Sequence, residues 1–224
     1  MNNDLRLYER LLQFPLFQGL SRAELLQLVG QTKFGFLKLA EGRTVVREDE
    51  TCNQFLFLIS GRLGLTIVSD DRRYTVEEQL SAPWLLQPEA LFGAHPHYTC
   101  MAVTLAESHF ITLSKDEVMR LLDDFLIIRL NYLNLLATQA QRRGRFQWRR
   151  CPETLRQRIV RFFMDHCLYP AGQKQFRILM TQLAMEVGDS RLDVSNVLNA
   201  MQSEGLLSLH RGRIEIPSLE RLLM

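Results

Sequence analysis

Apolar positions along the chain fall into three regimes, each with its own period. Residues 4 to 30 carry apolar side chains at helical spacing, interrupted at Phe14-Pro15 and Gln18-Gly19, so the pattern predicts short helices broken at those pairs. Ser21, with Glu24 three positions on and Leu25, Leu26, Leu28 and Val29 following, has the form of a capping box that opens a helix. From Thr32 to Leu113 the period shortens. The runs Thr44 to Val46, Phe55 to Ile59, Leu63 to Val68 and Tyr74 to Leu80 are separated by turn residues and predict strands. Gly42, Gly61 and Gly64 punctuate them, and Ser69-Asp70-Asp71-Arg72-Arg73 predicts a polar hairpin tip. Many short strands bury one face each by closing or stacking, which points to a β-roll or barrel.

Ser114, followed by Glu117, opens the third regime. Val118, Leu121, Phe125, Ile128, Tyr132, Leu135 and Gln139 recur at alternating spacings of three and four, a heptad seam. A second stripe, Leu122, Leu126, Leu130, Leu133 and Leu136 or Ala137, lies on an adjacent face. The long helix is therefore expected to bury two sides, one on the roll and one on a partner. Two-fold symmetry makes an identical helix the simplest supplier, with Phe125, Ile128, Tyr132, Leu135 and Gln139 as candidate dimer contacts. A core helix of a monomer is the competing reading, and the length of the seam argues against it. Gln141 to Arg150 ends the seam with Gly144 and five arginines, and Cys151-Pro152 follows. The expected division is a roll over 1–113, a dimerisation helix and hinge over 114–149, and a third domain over 150–224.

In that third domain, Pro152-Glu153 suits the first turn of a helix whose apolar residues are Leu155, Ile159, Phe162, Phe163 and His166. Tyr169-Pro170-Ala171-Gly172 breaks it. Leu183, Ala184 and Val187 then form the apolar face of a short helix, Gly188-Asp189-Ser190 makes a tight turn, and a second helix runs from Arg191 to Ser203. In the second helix Val194, Val197, Leu198 and Met201 form one stripe, and Leu192, Asn196, Asn199 and Ser203 fall opposite. A helix anchored on one side, with a polar but uncharged front and an arginine at its entrance, has the build of a helix-turn-helix. Asn pairs bidentately with adenine, Arg with guanine, and an exposed Leu contacts a thymine methyl. Leu206 to Leu209 and Arg213 to Ile216, joined through His210-Arg211-Gly212, predict a two-stranded wing whose arginines grip phosphate. Ser190, Arg191, Leu192, Ser195, Asn196, Asn199, Arg211 and Arg213 are thus the candidate DNA contacts.

Charge changes the picture only when counted by halves. Residues 1–139 hold 13 Lys/Arg and 17 Asp/Glu, a balance of −4, while residues 140–224 hold 14 and 8, a balance of +6. An acidic body followed by a basic tail from residue 140 fits contact with a polyanion through the second part alone. The longest run of aliphatic and aromatic residues, Phe55 to Ile59, is far short of the roughly 20 that cross a bilayer, so no membrane partner is expected. Asp4, Arg6 and Glu9 stand where a signal peptide would place its apolar stretch, so a cytoplasmic location is expected. Cys52, Cys100, Cys151 and Cys167 lie far apart, and their spacing suggests neither a metal site nor a disulfide framework. No phosphate loop, nucleophile elbow or His-Glu-x-x-His motif supports an enzyme. The expectation is a non-enzyme without a resident cofactor.

From about Phe17 to Ile216 the chain resembles the bacterial cyclic-AMP receptor protein and fumarate-nitrate regulator family of transcription factors. The segments that carry the resemblance are Glu41-Gly42-Arg43, Phe57-Leu58-Ile59-Ser60-Gly61-Arg62-Leu63, Val187-Gly188-Asp189-Ser190-Arg191, Val194-Ser195-Asn196-Val197-Leu198 and Glu204-Gly205-Leu206-Leu207. The resemblance implies an α+β fold: an N-terminal double-stranded β-roll, a long dimerisation helix and a C-terminal winged helix-turn-helix. It further implies a homodimer on near-palindromic double-stranded DNA, with RNA polymerase as a partner. Arg191 fills the place of a base-contacting arginine, while Leu192 and Asn196 stand where an acidic residue and an arginine are common, so the target sequence should differ from the family consensus. A protein-interaction adaptor that kept the fold but lost DNA binding is the alternative.

Relatives that bind cyclic nucleotides carry a Gly-Glu-Leu segment and an Arg-Ser pair that neutralises the phosphate. Here Tyr98 replaces the arginine, Thr99 replaces the serine, Glu89 lies one residue too near Phe92, and Pro88 precedes it. Glu89, Phe92, Tyr98 and Thr99 are the candidate ligand-contacting positions, and cyclic AMP is not expected to bind there, which leaves an unknown small-molecule effector or none. No cysteine precedes Cys52, which argues against the N-terminal iron-sulfur cluster of some relatives. His95 and His97 read as loop histidines rather than haem ligands.

Overall fold

The computed structural model describes residues 2–147 and 152–223, and the chain divides into two compact units, 1–63 with 80–147 and 64–79 with 148–224. This differs from the expected division in two respects. Residues 114–147, expected as a separate helix and hinge, group with the roll, and residues 64–79, read as part of the roll, pack with the C-terminal unit.

In the first unit, α1 (Asn2–Leu11) ends ahead of a 3-10 turn over Pro15–Phe17, and α2 (Arg22–Gln31) follows. The Ser21 hydroxyl accepts the Glu24 N–H at 3.2 Å and the Glu24 carboxylate accepts the Ser21 N–H at 2.8 Å, closing the predicted capping box. Strands β1 (Gly35–Leu39), β2 (Thr44–Val46), β3 (Gln54–Ser60), β4 (Arg62–Val68), β5 (Thr75–Ser81), β6 (Trp84–Leu85), β7 (Met101–Thr104) and β8 (Ser108–Ser114) follow. Antiparallel β1-β8-β3-β6 and the β2-β7 pair supply the jelly-roll layers of this unit. β3 is buried on both faces, and Phe55 and Phe57 stack edge-on at 6.0 Å between centroids, with Phe14 against Phe57 at 5.0 Å. Gly61 turns β3 into β4 at φ +103°, where a Cβ would stand 2.2 Å from Ser108 Oγ, so the Ser-Gly-Arg turn admits no side chain there.

The long helix is two helices. α3 (Lys115–Asp124) and α4 (Leu126–Gln147) are separated by Phe125, whose backbone is extended (φ −122°, ψ 101°). Arg129 covers the break, donating to the carbonyls of Leu122 (2.6 Å) and Asp123 (3.0 Å) that α3 leaves open. α4 lies on its own N-terminal segment: the Asn131 amide donates to the carbonyls of Leu16 (3.1 Å) and Gln18 (2.8 Å). Among the described residues, no helix is long and apolar enough to cross a membrane.

In the second unit, α5 (Leu155–Asp165), β9 (Lys174–Arg177), α6 (Met180–Val187), α7 (Arg191–Ser203), β10 (Ser208–His210) and β11 (Arg213–Ile216) lead to a 3-10 turn over Leu219–Leu223. α5 begins later than the proline suggested. Thr154 caps it, accepting the Gln157 N–H at 3.2 Å while Gln157 reaches back to the Thr154 N–H, so Glu153 lies outside the helix. The strands run β10-β11-β9-β5-β4, so the hairpin of residues 64–79 extends the wing sheet. Val76, Ile159, Phe163, Phe176, Leu183, Val194, Leu198, Met201 and Ile214 share one core.

Candidate nucleic-acid interface

The geometry of α7 starts at its turn. Gly188 ends α6 in the left-handed region (φ 66°), a conformation that costs an L side chain roughly 1–2 kcal/mol. Arg158 from α5 forms an ion pair with Asp189 in the same turn, and Arg156 holds Glu204 at the far end of α7 through two bonds of 2.6 Å. That arginine keeps the Glu204 carboxyl below its ordinary pKa. α7 is therefore fixed to α5 at both ends by charge-assisted bonds. Ser190 caps it: its hydroxyl accepts the Asp193 N–H at 3.1 Å and donates to the Asp193 carboxylate at 2.6 Å.

Val194, Leu198 and Met201 are fully buried behind the helix, with Val197 half-buried. On the front, Arg191, Asn196 and Asn199 are exposed and Leu192 is 70% exposed, while Ser195 is half-buried, with the Asn199 amide 3.5 Å from its hydroxyl. These residues form one open face. Ser190 sits at its edge with its hydroxyl committed to the cap. β10 and β11 pair as the sequence suggested, Leu209 opposite Ile214 and His210 opposite Arg213, with Arg211 exposed at the tip. Arg213 forms an ion pair with Glu215 at 3.1 Å, which leaves it less free to meet a phosphate than the sequence implied.

The cations of this unit are mostly committed. Residues 152–223 hold nine Lys/Arg and eight Asp/Glu. Arg156, Arg158, Arg161, Lys174, Arg177 and Arg213 each pair with a carboxylate of the unit. Among the described residues of 152–223, Arg191, Arg211 and Arg221 are in no ion pair. The basic balance of the C-terminal half thus rests on Arg142, which is exposed, and on the arginines of 143–150, whose side chains lie outside the described residues.

The heptad positions expected to meet a second subunit face largely into their own chain. Phe125, Ile128 and Tyr132 are buried within their own chain, and Leu135 and Gln139 are half-buried. The Tyr132 hydroxyl donates to the Pro88 carbonyl at 2.9 Å, and its ring meets Phe55 and Phe92. The seam faces inward because the aromatic members close over the roll. The second stripe faces out: Leu126, Leu130 and Leu133 are 61%, 50% and 52% exposed.

In the roll, Tyr98 is buried, its hydroxyl donating to the Gln54 carbonyl at 3.4 Å, and burial raises both its pKa and that of the neighbouring Cys52 thiol. Thr99 is exposed but clamped: Gln87, left-handed at φ 37° and buried, accepts the Thr99 N–H at 3.1 Å and donates to its hydroxyl at 2.6 Å. Glu89 and Phe92 are half-buried, and Lys115 Nζ stands 4.9 Å over the Phe92 ring. Sequence reading missed the Gln87 clamp. At the position where the resemblance implies a phosphate-neutralising guanidinium in cyclic-nucleotide binders, the chain has a phenol bonded to the Gln54 carbonyl.

Residues 36–125 match the model of the cyclic nucleotide-binding domain, and residues 157–224 match the Crp-like helix-turn-helix domain. The chain belongs to the cyclic-AMP receptor protein and fumarate-nitrate regulator family of transcription regulators. Within this family's fold, the chain is similar to the catabolite activator protein of Thermus thermophilus, at 21% identity over 94% of this chain and 97% of that one, with a TM-score of 0.52. A transcriptional regulator of the crp/fnr family from Eubacterium rectale gives 19% identity, coverages of 94% and 96%, and a TM-score of 0.51. The sensor domain of the transcriptional regulator DNR from Pseudomonas aeruginosa gives 22% identity over 69% of this chain and all of that one, with a TM-score of 0.54. These likenesses are of fold. The comparison with curated proteins returned no match.

Proposed function

We propose that this family member is a cytoplasmic homodimer that binds a near-palindromic DNA operator sequence-specifically and does not respond to cyclic AMP. The observation that carries the reading is the front of α7: Arg191, Leu192, Asn196 and Asn199 are exposed side by side, while three aliphatic side chains anchor the back of the helix. A buried or charge-paired front would suit an adaptor; an open, polar one with an arginine at its entrance suits base edges. The second subunit joins along Leu126, Leu130 and Leu133 of α4, which sets two recognition helices on half-sites one helical turn apart. RNA polymerase is the partner through which the bound dimer acts.

Selection of binding sites from random DNA, followed by mobility shift, tests the reading; an adaptor yields no enriched sequence. On the selected operator, Arg191→Ala costs about 1–3 kcal/mol at one base pair of each half-site and relaxes preference there. Arg211→Ala at the wing tip weakens operator and random DNA alike and lowers the salt dependence, because it meets phosphate only. Equal loss of specific and random binding in both variants overturns these roles.

The roll supports the second half of the proposal, since Tyr98 and the Gln87–Thr99 clamp use their polar atoms internally. Calorimetric titration with cyclic AMP is expected to show no binding in the micromolar range; a micromolar dissociation constant refutes it. An effector, if the roll takes one, has a chemistry that needs no buried guanidinium.

A further inference from the structure

The hairpin of residues 64–79 leaves the roll through Gly61 and ends inside the core of the DNA-binding unit. β5 pairs with β9 in a four-residue register: Thr75 with Arg177, Val76 with Phe176, Glu77 with Gln175 and Glu78 with Lys174. The two faces of this ladder differ. On one face Val76 and Phe176 are buried in the shared core, next to a Glu78–Lys174 ion pair at 2.7 Å whose side chains are almost wholly inaccessible. The Glu78 carboxylate also accepts the N–H groups of Leu168 (2.6 Å) and Tyr169 (3.2 Å), so it closes the loop that follows α5. On the other face Glu77 bonds to Arg177 at 2.7 Å and to the Gln175 amide at 2.8 Å. At the hairpin's tip end, Tyr74 meets the rings of Phe162 and His166 at 5.6 and 5.5 Å.

A dissociable latch would be built from exposed, separately solvated contacts. This junction is not. Detaching the hairpin would leave the Lys174 ammonium without its counter-charge in an apolar surround, open the edge of β9 and expose Val76 and Phe176. We infer that the hairpin is a permanent fourth and fifth strand of the DNA-binding unit, paired to β9 in the operator-bound state as in the free one. The DNA-binding module is then discontinuous in sequence, and a change in the roll strands reaches the wing through covalent continuity and the β5-β9-β11-β10 ladder. The inference rests on the DNA-binding reading and deepens it, naming a covalent route from the roll strands into the DNA-binding unit.

A cross-strand disulfide tests it in the full chain. Thr75 and Arg177 stand opposite each other and neither is buried, so Thr75→Cys with Arg177→Cys has the separation a disulfide needs. Closure is verified by peptide mapping, and oxidised and reduced forms of the same variant are titrated with the selected operator. The two forms are expected to bind within about twofold of each other. A tenfold or greater loss on oxidation, restored by reductant, overturns the inference, since it means the strands must part.

Hydrogen exchange on the wild-type chain provides a second readout. Amides of Val76 to Glu78 and of Gln175 to Phe176 should stay equally protected with and without operator, and selective deprotection of Val76 to Glu78 on DNA binding also overturns it. The failures are distinguishable: a wild-type chain that binds no DNA sequence sinks the DNA-binding reading, whereas a binding chain that loses affinity on cross-linking sinks only this one.

Discussion

Leu130→Arg turns the protein into a folded monomer of 26.1 kDa that has lost about two to four orders of magnitude of operator affinity. Leu130 lies midway along the exposed stripe of α4 with half of its surface in solvent, so an arginine there meets no packed neighbour of its own chain. In a two-fold dimer the same arginine faces its symmetry mate, and two guanidiniums buried in an apolar seam are strongly unfavourable. Each half-site contact survives, but the second one no longer gains from being tethered to the first, and that advantage is worth 10²–10⁴ in affinity. Light scattering reads the mass, circular dichroism the fold, and mobility shift the affinity. Ile128→Arg is the contrast. That side chain is inaccessible within its own chain, so the variant unfolds the first unit instead of dissociating a folded dimer. Should Leu130→Arg remain dimeric, the outward stripe is not the interface.

This contrast shows what periodicity carries and what it omits. Both stripes on α4 were legible as apolar, because spacing alone encodes that. Which one is left open to solvent was not, since facing depends on what else occupies the surface, and Tyr132 is claimed by Phe55, Phe92 and the Pro88 carbonyl. The break at Phe125 left the seven-residue phase undisturbed, so the count of spacings passed over it. By contrast α7 begins and ends where the apolar stripe and the Gly188-Asp189-Ser190 turn placed it, because these signals are local and agree. β9 went unread. Lys174–Arg177 holds one apolar residue among three polar ones, and its pairing partner lies almost a hundred positions earlier. Glu78 and Lys174 look like surface residues in a sequence; only the fold makes them a buried pair.

Glu78→Ala is expected to lower the stability of the DNA-binding unit by about 3–5 kcal/mol, the usual effect of leaving one member of a buried ion pair alone. Alanine removes the counter-charge of Lys174 and the acceptor of the Leu168 and Tyr169 N–H groups together, and nothing else among the described residues pairs with that ammonium. A domain holds only about 5–15 kcal/mol in total, so the loss populates unfolded wing and recognition helix and weakens every DNA sequence in parallel. The unfolding transition of this unit, followed by hydrogen exchange at the β9 and β11 amides, reads the change. The neighbouring Glu77→Ala removes an exposed partner of Arg177 and should cost no more than about 1 kcal/mol. The double variant Glu78→Met with Lys174→Met separates charge from packing. An apolar pair of similar volume removes both desolvated ions, so the part of the loss due to the lone Lys174 ammonium returns, while the Leu168 and Tyr169 N–H groups stay without the carboxylate. If Glu78→Ala costs under about 1 kcal/mol, water reaches Lys174 in solution, and the hairpin is not built into the core of the unit it joins.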